Sequence, residues 1–347
     1  MKLDLHRHLE GSHSAAALAD VAVAFDMRDP LFWDEQTRRH RTAAELAPSL
    51  TMTAPTDDAR VFYGCIQKAR AAYVSEAAIG ELARRAFVEA AADTDGFEMR
   101  ISLFSMTRTL LDNERIAWRD LAPSTFAERA RRLLLAVLAA RDAASAACGK
   151  PMLVRLGFSR TFESEAHYRA LAAILPEHKD ALCGLDVLGI VTGADREPMP
   201  AALVDILSSL RAHLPDLSVH AGEFEDHRSI ERTLALSPQA IGHGVHAAGS
   251  DAVMTRLVED DVTLEVCPHS NALLIPTALR ALTDARGSHP LVTLQRARVR
   301  CVLGSDDPTP MGTSFSKEWT RAAALGADMA LLQHDIERRF AALPRPR

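Results

Sequence analysis

A chain of 347 residues, 48% hydrophobic and 25% charged, has the composition of a globular protein with enough length to bury a large core. A net charge of −6 and a pI near 6.2 argue against the basic face that nucleic-acid binders turn toward phosphates, so neither DNA nor RNA is expected as a partner. No run approaches the roughly 18 unbroken apolar residues that span a bilayer, and five scattered cysteines without a C-x-x-C pair suit free thiols in a reducing cytoplasm.

In chain order, Leu3 and Leu5 alternate with polar residues and predict a short strand ending near His8; strand-like sequence from residue 2 leads us to expect no signal peptide ahead of it. From Ser14 to Asp93 the pattern is mostly helical, punctuated at Pro30 and Pro55. Ser75 is placed to cap a long helix that buries Leu82, Ala83, Ala86, Phe87 and Ala90. Phe97–Phe104 reads as the second strand, followed by a helix over 124–147 whose most apolar run is Leu133–Ala140. Met152–Phe158 is the third strand, and a helix from Glu165 to Leu175 has Ser164 as its candidate cap. Strands at 182–191, 217–220, 240–244, 262–267 and 299–305 then alternate with helices at 201–212, 230–236, 251–258, after Ser288 and from Phe315.

Alternation of this kind predicts an α/β protein with a parallel sheet, and eight strands predict a closed (β/α)8 TIM barrel with a helical insertion after the first strand. A doubly wound open sheet is the rival, but no Gly-x-Gly-x-x-Gly turn supports it. No repeat, linker or low-complexity tract interrupts the chain, so residues 1–347 are expected to form a single domain.

Active sites of such barrels gather at the C-terminal ends of the strands. The first strand ends in His6-Arg7-His8, the fifth in His220-Ala221-Gly222-Glu223, the sixth in Gly242-His243-Gly244 and the eighth in Ser305-Asp306-Asp307-Pro308. Residues two apart on a strand point the same way, so His6 and His8 form half of a metal site. Four strand ends rich in metal-ligating and titratable groups argue for a site rather than a polar core.

These motifs, with Leu5-His6-Arg7-His8-Leu9-Glu10-Gly11 and Leu264-Glu265-Val266-Cys267-Pro268 with Ser270-Asn271, resemble in type and order the adenosine deaminase family of metal-dependent amidohydrolases. The resemblance implies one zinc ion per chain, held by His6, His8, His220 and Asp306, with a water whose pKa falls toward about 7. It also implies that His243 orients or deprotonates that water. Glu223 would protonate the ring nitrogen beside the attacked carbon, and Asp307 would hydrogen-bond the five-membered ring. Other readings remain for these residues: His243 as an orienter alone, Asp307 as a helix cap, Glu223 as a loop carboxylate. His246 and His269 are read as surface or pocket-lining residues. The His8-Leu9-Glu10 triplet also matches the H-x-E of cytidine-type deaminases, but no Pro-Cys-x-x-Cys follows.

Departures from the family pattern bear on the substrate. Glu10 stands where enzymes acting on adenosine usually have Asp, and resembles the form common in adenine deaminases. Asp186-Val187-Leu188-Gly189 lacks an expected acid, yet Gly189 can still offer its backbone N–H to a purine; a turn glycine is the alternative. Arg100 reads as structural, and Phe62 and Tyr63 as pocket wall or core. The fourth strand has no lysine between Cys183 and Arg196, which favours one metal over a lysine-bridged pair. The resemblance thus implies deamination of a 6-aminopurine nucleoside, adenosine or a modified adenosine. Adenine or an aminofutalosine-type nucleoside is the alternative substrate, and a catalytically silent purine-binding zinc protein is the alternative from another class.

Overall fold

The computed structural model describes residues 1–189, 199–283 and 287–345. Eight parallel strands follow one another round a sheet in chain order: β1 (Leu3–His8), β2 (Gly96–Ile101), β3 (Met152–Ser159), β4 (Gly184–Leu188), β5 (Leu217–Ala221), β6 (Ala240–His243), β7 (Thr263–Val266) and β8 (Arg300–Leu303). Just past β8 the chain returns to β1. The His8 N–H donates to the Asp306 carbonyl at 2.8 Å, and the Asp306 N–H donates to the His6 carbonyl at 2.7 Å. These bonds bring the two ends of the sheet together, and the (β/α)8 barrel expected from the alternation is the one observed.

The pleat explains which residues enter the barrel. On β1, Leu3 and Leu5 alternate with Asp4 and His6, all of them buried. Phe97 of β2 stacks on Phe87, which lies on the helix Glu76–Asp93. Glu98 and Arg100, its neighbours of opposite parity, pair with each other at 3.1 Å. The interior is therefore ionic while the apolar residues seal the helical shell. No helix among the described residues is long and apolar enough to cross a membrane.

Between β1 and β2 lies the expected helical insertion, with helices Ala15–Ala24, Ala43–Leu50, Ala59–Arg70 and Glu76–Asp93. Ser75 caps the last of these by accepting from the Ala78 N–H, and the five residues expected on its inner face are buried. A small ribbon, Trp33–Asp34 paired with Arg39–His40, was not foreseen in this segment. The second strand is shorter than its apolar run suggests. It ends at Ile101 because Leu103–Asn113 turns its apolar face inward as a helix. Ser164 does precede a helix, but its hydroxyl meets the His167 Nδ1 at 2.8 Å instead of capping a backbone N–H. Of the apolar run Leu133–Ala140, Leu135 points outward, since a helix buries one face. Ile190 and Val191, placed in the fourth strand, lie outside the described residues.

Where β8 meets β1 there is room only for glycine. A Cβ on Gly304 would lie 2.3 Å from the His6 Cβ and 2.6 Å from its carbonyl oxygen. Gly304→Ala should therefore destabilise the protein by about 1–3 kcal/mol through strand displacement. A fall in the urea midpoint at unchanged slope is the expected result; an unchanged midpoint would mean the closure is looser than described.

Candidate active site

The ends of β1, β5 and β8 bring His6, His8, His220 and Asp306 to one point. The His8 Nε2 lies 3.3 Å from the His6 Nε2 and 3.2 Å from the His220 Nε2. The Asp306 Oδ1 is 3.6 Å from the His6 Nε2 and 3.4 Å from the His8 Nε2. Donors about 2.0–2.1 Å from a tetrahedral zinc lie about 3.3–3.4 Å from each other, and the three separations measured from the His8 Nε2 match that spacing. The donor chemistry, imidazole with carboxylate, fits as well.

The outer face of two imidazoles explains their aim. The His6 Nδ1 is 3.2 Å from the Glu265 carboxylate, and the His220 Nδ1 is 3.2 Å from that of Asp186. A proton on each Nδ1 leaves the Nε2 lone pair free to face the cluster. Arg100, fully buried, contacts both carboxylates: its Nη1 reaches Asp186 at 3.3 Å and its Nη2 bonds Glu265 closely. Burial first, then the Arg100 charge, pushes His6 well below the usual imidazole range, and burial takes His8 to about 3. Both rings are therefore neutral near pH 7, as ligation requires. Burial works against ionising Asp186, but its contacts with His220 and the Arg100 charge overcome it and hold this carboxyl below its usual range.

Beside the cluster, the His243 Nε2 lies 3.6 Å from the Glu223 Oε1 and 4.0 Å from the Asp306 Oδ2. Its Nδ1 meets the Asn271 amide at 3.2 Å, and burial lowers the ring to about 4. His243 and Asp306 both hold positive φ, 60° and 58°. That conformation is costly for non-glycine residues and marks both as positions the surrounding barrel enforces. Glu223 is buried, not an exposed loop carboxylate.

Asp307 precedes the turn of helix Pro308–Met311 but makes no side-chain cap, so the capping alternative falls away. Burial raises its carboxyl well above the usual range, and the neighbouring Asp306 charge raises it further. Asp306 moves the other way: burial opposes ionisation, yet the His243 and His8 imidazoles hold it below its ordinary value. The surroundings thus push the adjacent pair in opposite directions, Asp306 down and Asp307 up.

A cleft of about 620 Å³, counted to its open mouth, joins these groups to the insertion. Phe62, Ile66 and Arg70, spaced by four on helix Ala59–Arg70, line it together with Tyr63. Gly189 lines it at φ 105°, where the chain turns away from β4. Glu10 also lines it, accepting the Ser102 N–H at 3.0 Å and facing the Arg70 Nη2 at 3.4 Å. All nine residues singled out for metal, proton or substrate chemistry, apart from His6 behind the wall, border this one cleft. His246 and His269 stay out of the donor cluster; the His246 Nδ1 meets the Gly222 carbonyl, and the His269 N–H donates to Glu318. Arg70 was not anticipated, nor were the roles of Asp186, Glu265 and Asn271. For Arg70, the four-residue spacing with Phe62 was the available signal.

A family model described as adenosine deaminase matches residues 1–336. The chain belongs to the adenosine deaminase family, and it is accordingly a hydrolase acting on a carbon–nitrogen bond. Over 346 residues it is 29% identical to an aminodeoxyfutalosine deaminase of Acidothermus cellulolyticus, covering 95% of this chain and 84% of the relative. A stretch of 108 residues, 31% of each chain, is 44% identical to an adenine deaminase of Agrobacterium fabrum. A solved adenine deaminase from Arthrobacter aurescens shares the fold with a TM-score of 0.71 at 20% identity, covering 98% of this chain and 99% of the other.

The carboxylates behind the imidazoles are testable apart from turnover. Asp186→Asn keeps the shape but removes the charge that fixes the His220 tautomer. Zinc affinity, measured by competition with a chromogenic chelator, should weaken about 10–100-fold. Unaltered affinity would show that His220 needs no such partner.

Proposed function

We propose that the chain removes the amino group of a 6-aminopurine by zinc-dependent hydrolysis, giving the 6-oxo purine and ammonia. The observation that carries this reading is the convergence of His6, His8 and His220, with Asp306 within 3.6 Å of His6 and His8, beside Glu223 and His243. Adenosine or a modified adenosine is the first substrate. Adenine is the second, favoured by the Glu10 carboxylate and its Arg70 partner in the cleft, and by the local match to an adenine deaminase. An aminofutalosine-type nucleoside fits the same chemistry and is supported by the relative matched along nearly the whole chain.

One zinc ion per chain is proposed, and when bound it supplies the Lewis acidity that makes water a nucleophile at neutral pH. The remaining work falls to side chains. His243, neutral and facing both Glu223 and Asp306, positions the water and relays its proton. Glu223 delivers a proton to the ring nitrogen next to the amino-bearing carbon, which makes that carbon electrophilic. Asp307, whose protonated form burial favours, is proposed to donate to a nitrogen of the five-membered ring and hold the purine in register. Gly189 is proposed to offer its N–H to the six-membered ring. Addition of water and expulsion of ammonia then balance the reaction. Because strands from both ends of the chain supply donors, residues 1–347 are proposed to act as a single domain. A small purine is the proposed partner, and the five unpaired cysteines suit the cytoplasm.

Ammonia release from a panel of aminopurine bases, nucleosides and nucleotides by zinc-loaded protein tests the reading. Glu223→Gln should retain zinc while turnover falls by roughly 10²–10⁴-fold, the scale of a lost general acid. Loss of zinc with activity would make Glu223 part of the metal site. Purine binding without ammonia from any substrate would instead identify a silent binding protein.

A further inference from the structure

A second cleft lies between His269, on helix Pro268–Leu274, and helix Phe315–Ala324. It measures about 1060 Å³ counted to its open mouth and shares no lining residue with the active-site cleft. The helical period sets Ser316, Thr320 and Ala324 in one row along its wall and Lys317, Arg321 and Leu325 in the next. One end of the groove is therefore cationic, and the other, at Ala324 and Leu325, is apolar. Among the described residues no Asp or Glu lines it.

The cations at the polar end are left largely without partners. Among the described residues Arg321 makes no hydrogen bond and no ion pair, and Lys317 gives one side-chain N–H, to the Gly312 carbonyl at 2.9 Å. The two carboxylates that touch the lining residues are committed elsewhere. Asp93 accepts the Ser316 N–H at 3.0 Å, while Glu318 accepts the Thr313 hydroxyl at 2.5 Å and the His269 N–H at 2.9 Å. Burial raises Glu318 to about 7, so it offsets the nearby cations only in part. The Arg321 charge falls on other basic groups instead. After burial it is the largest influence lowering His269, with Lys317 adding to it, and it also lowers the buried His289, whose Nε2 has no partner. Basic groups crowded in this way lack the anion that would relieve them.

We infer that this groove is a second binding site, for a small organic phosphate whose phosphate group meets Lys317 and Arg321 and whose apolar body lies over Ala324 and Leu325. Two neighbouring cations suit a group that carries about −1.5 to −2 charges at pH 7 and presents only acceptor oxygens toward them. A carboxylate brings a single charge and matches them less well. The first backbone N–H groups of the helix do not contribute: that of Ser316 goes to Asp93 and that of Lys317 to the Ser314 hydroxyl. Recognition therefore rests on side chains, and each is open to substitution because Lys317 is exposed and Arg321 and Leu325 are half-buried.

The test uses the zinc-loaded protein and three probes: phenyl phosphate, inorganic phosphate without the body, and benzoate with the body but one charge. Binding is followed by titration calorimetry and by NMR of the His269 ring, assigned with His269→Gln. Phenyl phosphate should saturate at about millimolar concentration or below. Inorganic phosphate and benzoate should each bind about tenfold more weakly, the first for lack of buried apolar surface and the second for lack of charge. The His269 imidazole should titrate higher in the phenyl phosphate complex, because a nearby anion favours its charged form. Arg321→Gln and Lys317→Gln should each weaken phenyl phosphate about tenfold or more. Leu325→Asn should weaken phenyl phosphate and leave inorganic phosphate unchanged. Thermal melts confirm that the variants remain folded. Phosphate can also meet the zinc, but that contact would survive Arg321→Gln and leave His269 unmoved. Binding of that kind alone, no saturation by phenyl phosphate, or benzoate binding as tightly would overturn the inference.

Discussion

Everything at the mouth of this barrel rests on one buried guanidinium. Arg100 sits inside the barrel, in contact with Glu98, Asp186 and Glu265, and donates to the carbonyl of Leu5 on β1. Two of those carboxylates carry the imidazoles of His220 and His6. Below, Arg155 joins Glu98 to Asp216, and Arg339 closes on Asp216 from the last helix. Three guanidinium groups thus face four carboxylates, leaving the stack with excess negative charge beneath the histidines. Under the proposed reading, a zinc ion would supply the counter-charge. Such networks add little net stability, because desolvation offsets most of their attraction. What they contribute is direction: removing one partner strands a buried charge, so the set holds a single arrangement.

Closure of the barrel and construction of the site use the same bonds. Asp306 exchanges backbone hydrogen bonds with the ends of β1, and its side chain reaches the nitrogens of His6 and His8 from that position. Asp4, buried one turn of the pleat below, accepts from both the N–H and the hydroxyl of Ser305. Separation of β8 from β1 would therefore scatter the donor cluster as well as open the sheet. The absence of a side chain at Gly304 is a condition of both.

The strand ends were legible in the sequence because a strand carries period-two information in very few residues. His6 and His8 share a face by spacing alone, and a barrel assigns a location to whatever follows each strand. Interior acids were harder. Asp186 and Glu265 stand in apolar strands with nothing local to say that each turns inward toward an imidazole contributed by a strand at a distant point in the sequence. Arg70 was harder still, since only the packing of the inserted helix over the barrel brings it to Glu10, sixty positions earlier. Local signals failed where a side chain had two uses: Ser164 has the position of a cap, yet its hydroxyl is taken by His167. The apolar run beginning at Phe97 ended early for a similar reason, because apolar content alone does not separate a strand from the first turn of a buried helix.

Adjacent acids at the end of β8 show how one short segment supports two opposite chemistries. Two buried carboxylates so close cannot both ionise cheaply, and the surroundings decide which one does. The imidazoles around Asp306 favour its anion, whereas burial and the Asp306, Glu10 and Glu223 carboxyls around Asp307 favour its protonated form. Groups pushed apart in this way reveal their roles. An anion suits a cation; a buried neutral acid suits a lone pair. Under the proposed reading, the ring nitrogen that meets Asp307 would be unprotonated and unsubstituted, a property of the five-membered ring of a purine on the side away from its sugar. Glu10, near Asp307 on the same cleft, makes the complementary demand, since its carboxylate accepts where a protonated Asp307 would donate. Under the proposed reading, these demands favour one orientation of a purine, with its amino-bearing carbon toward Glu223 and the donor cluster.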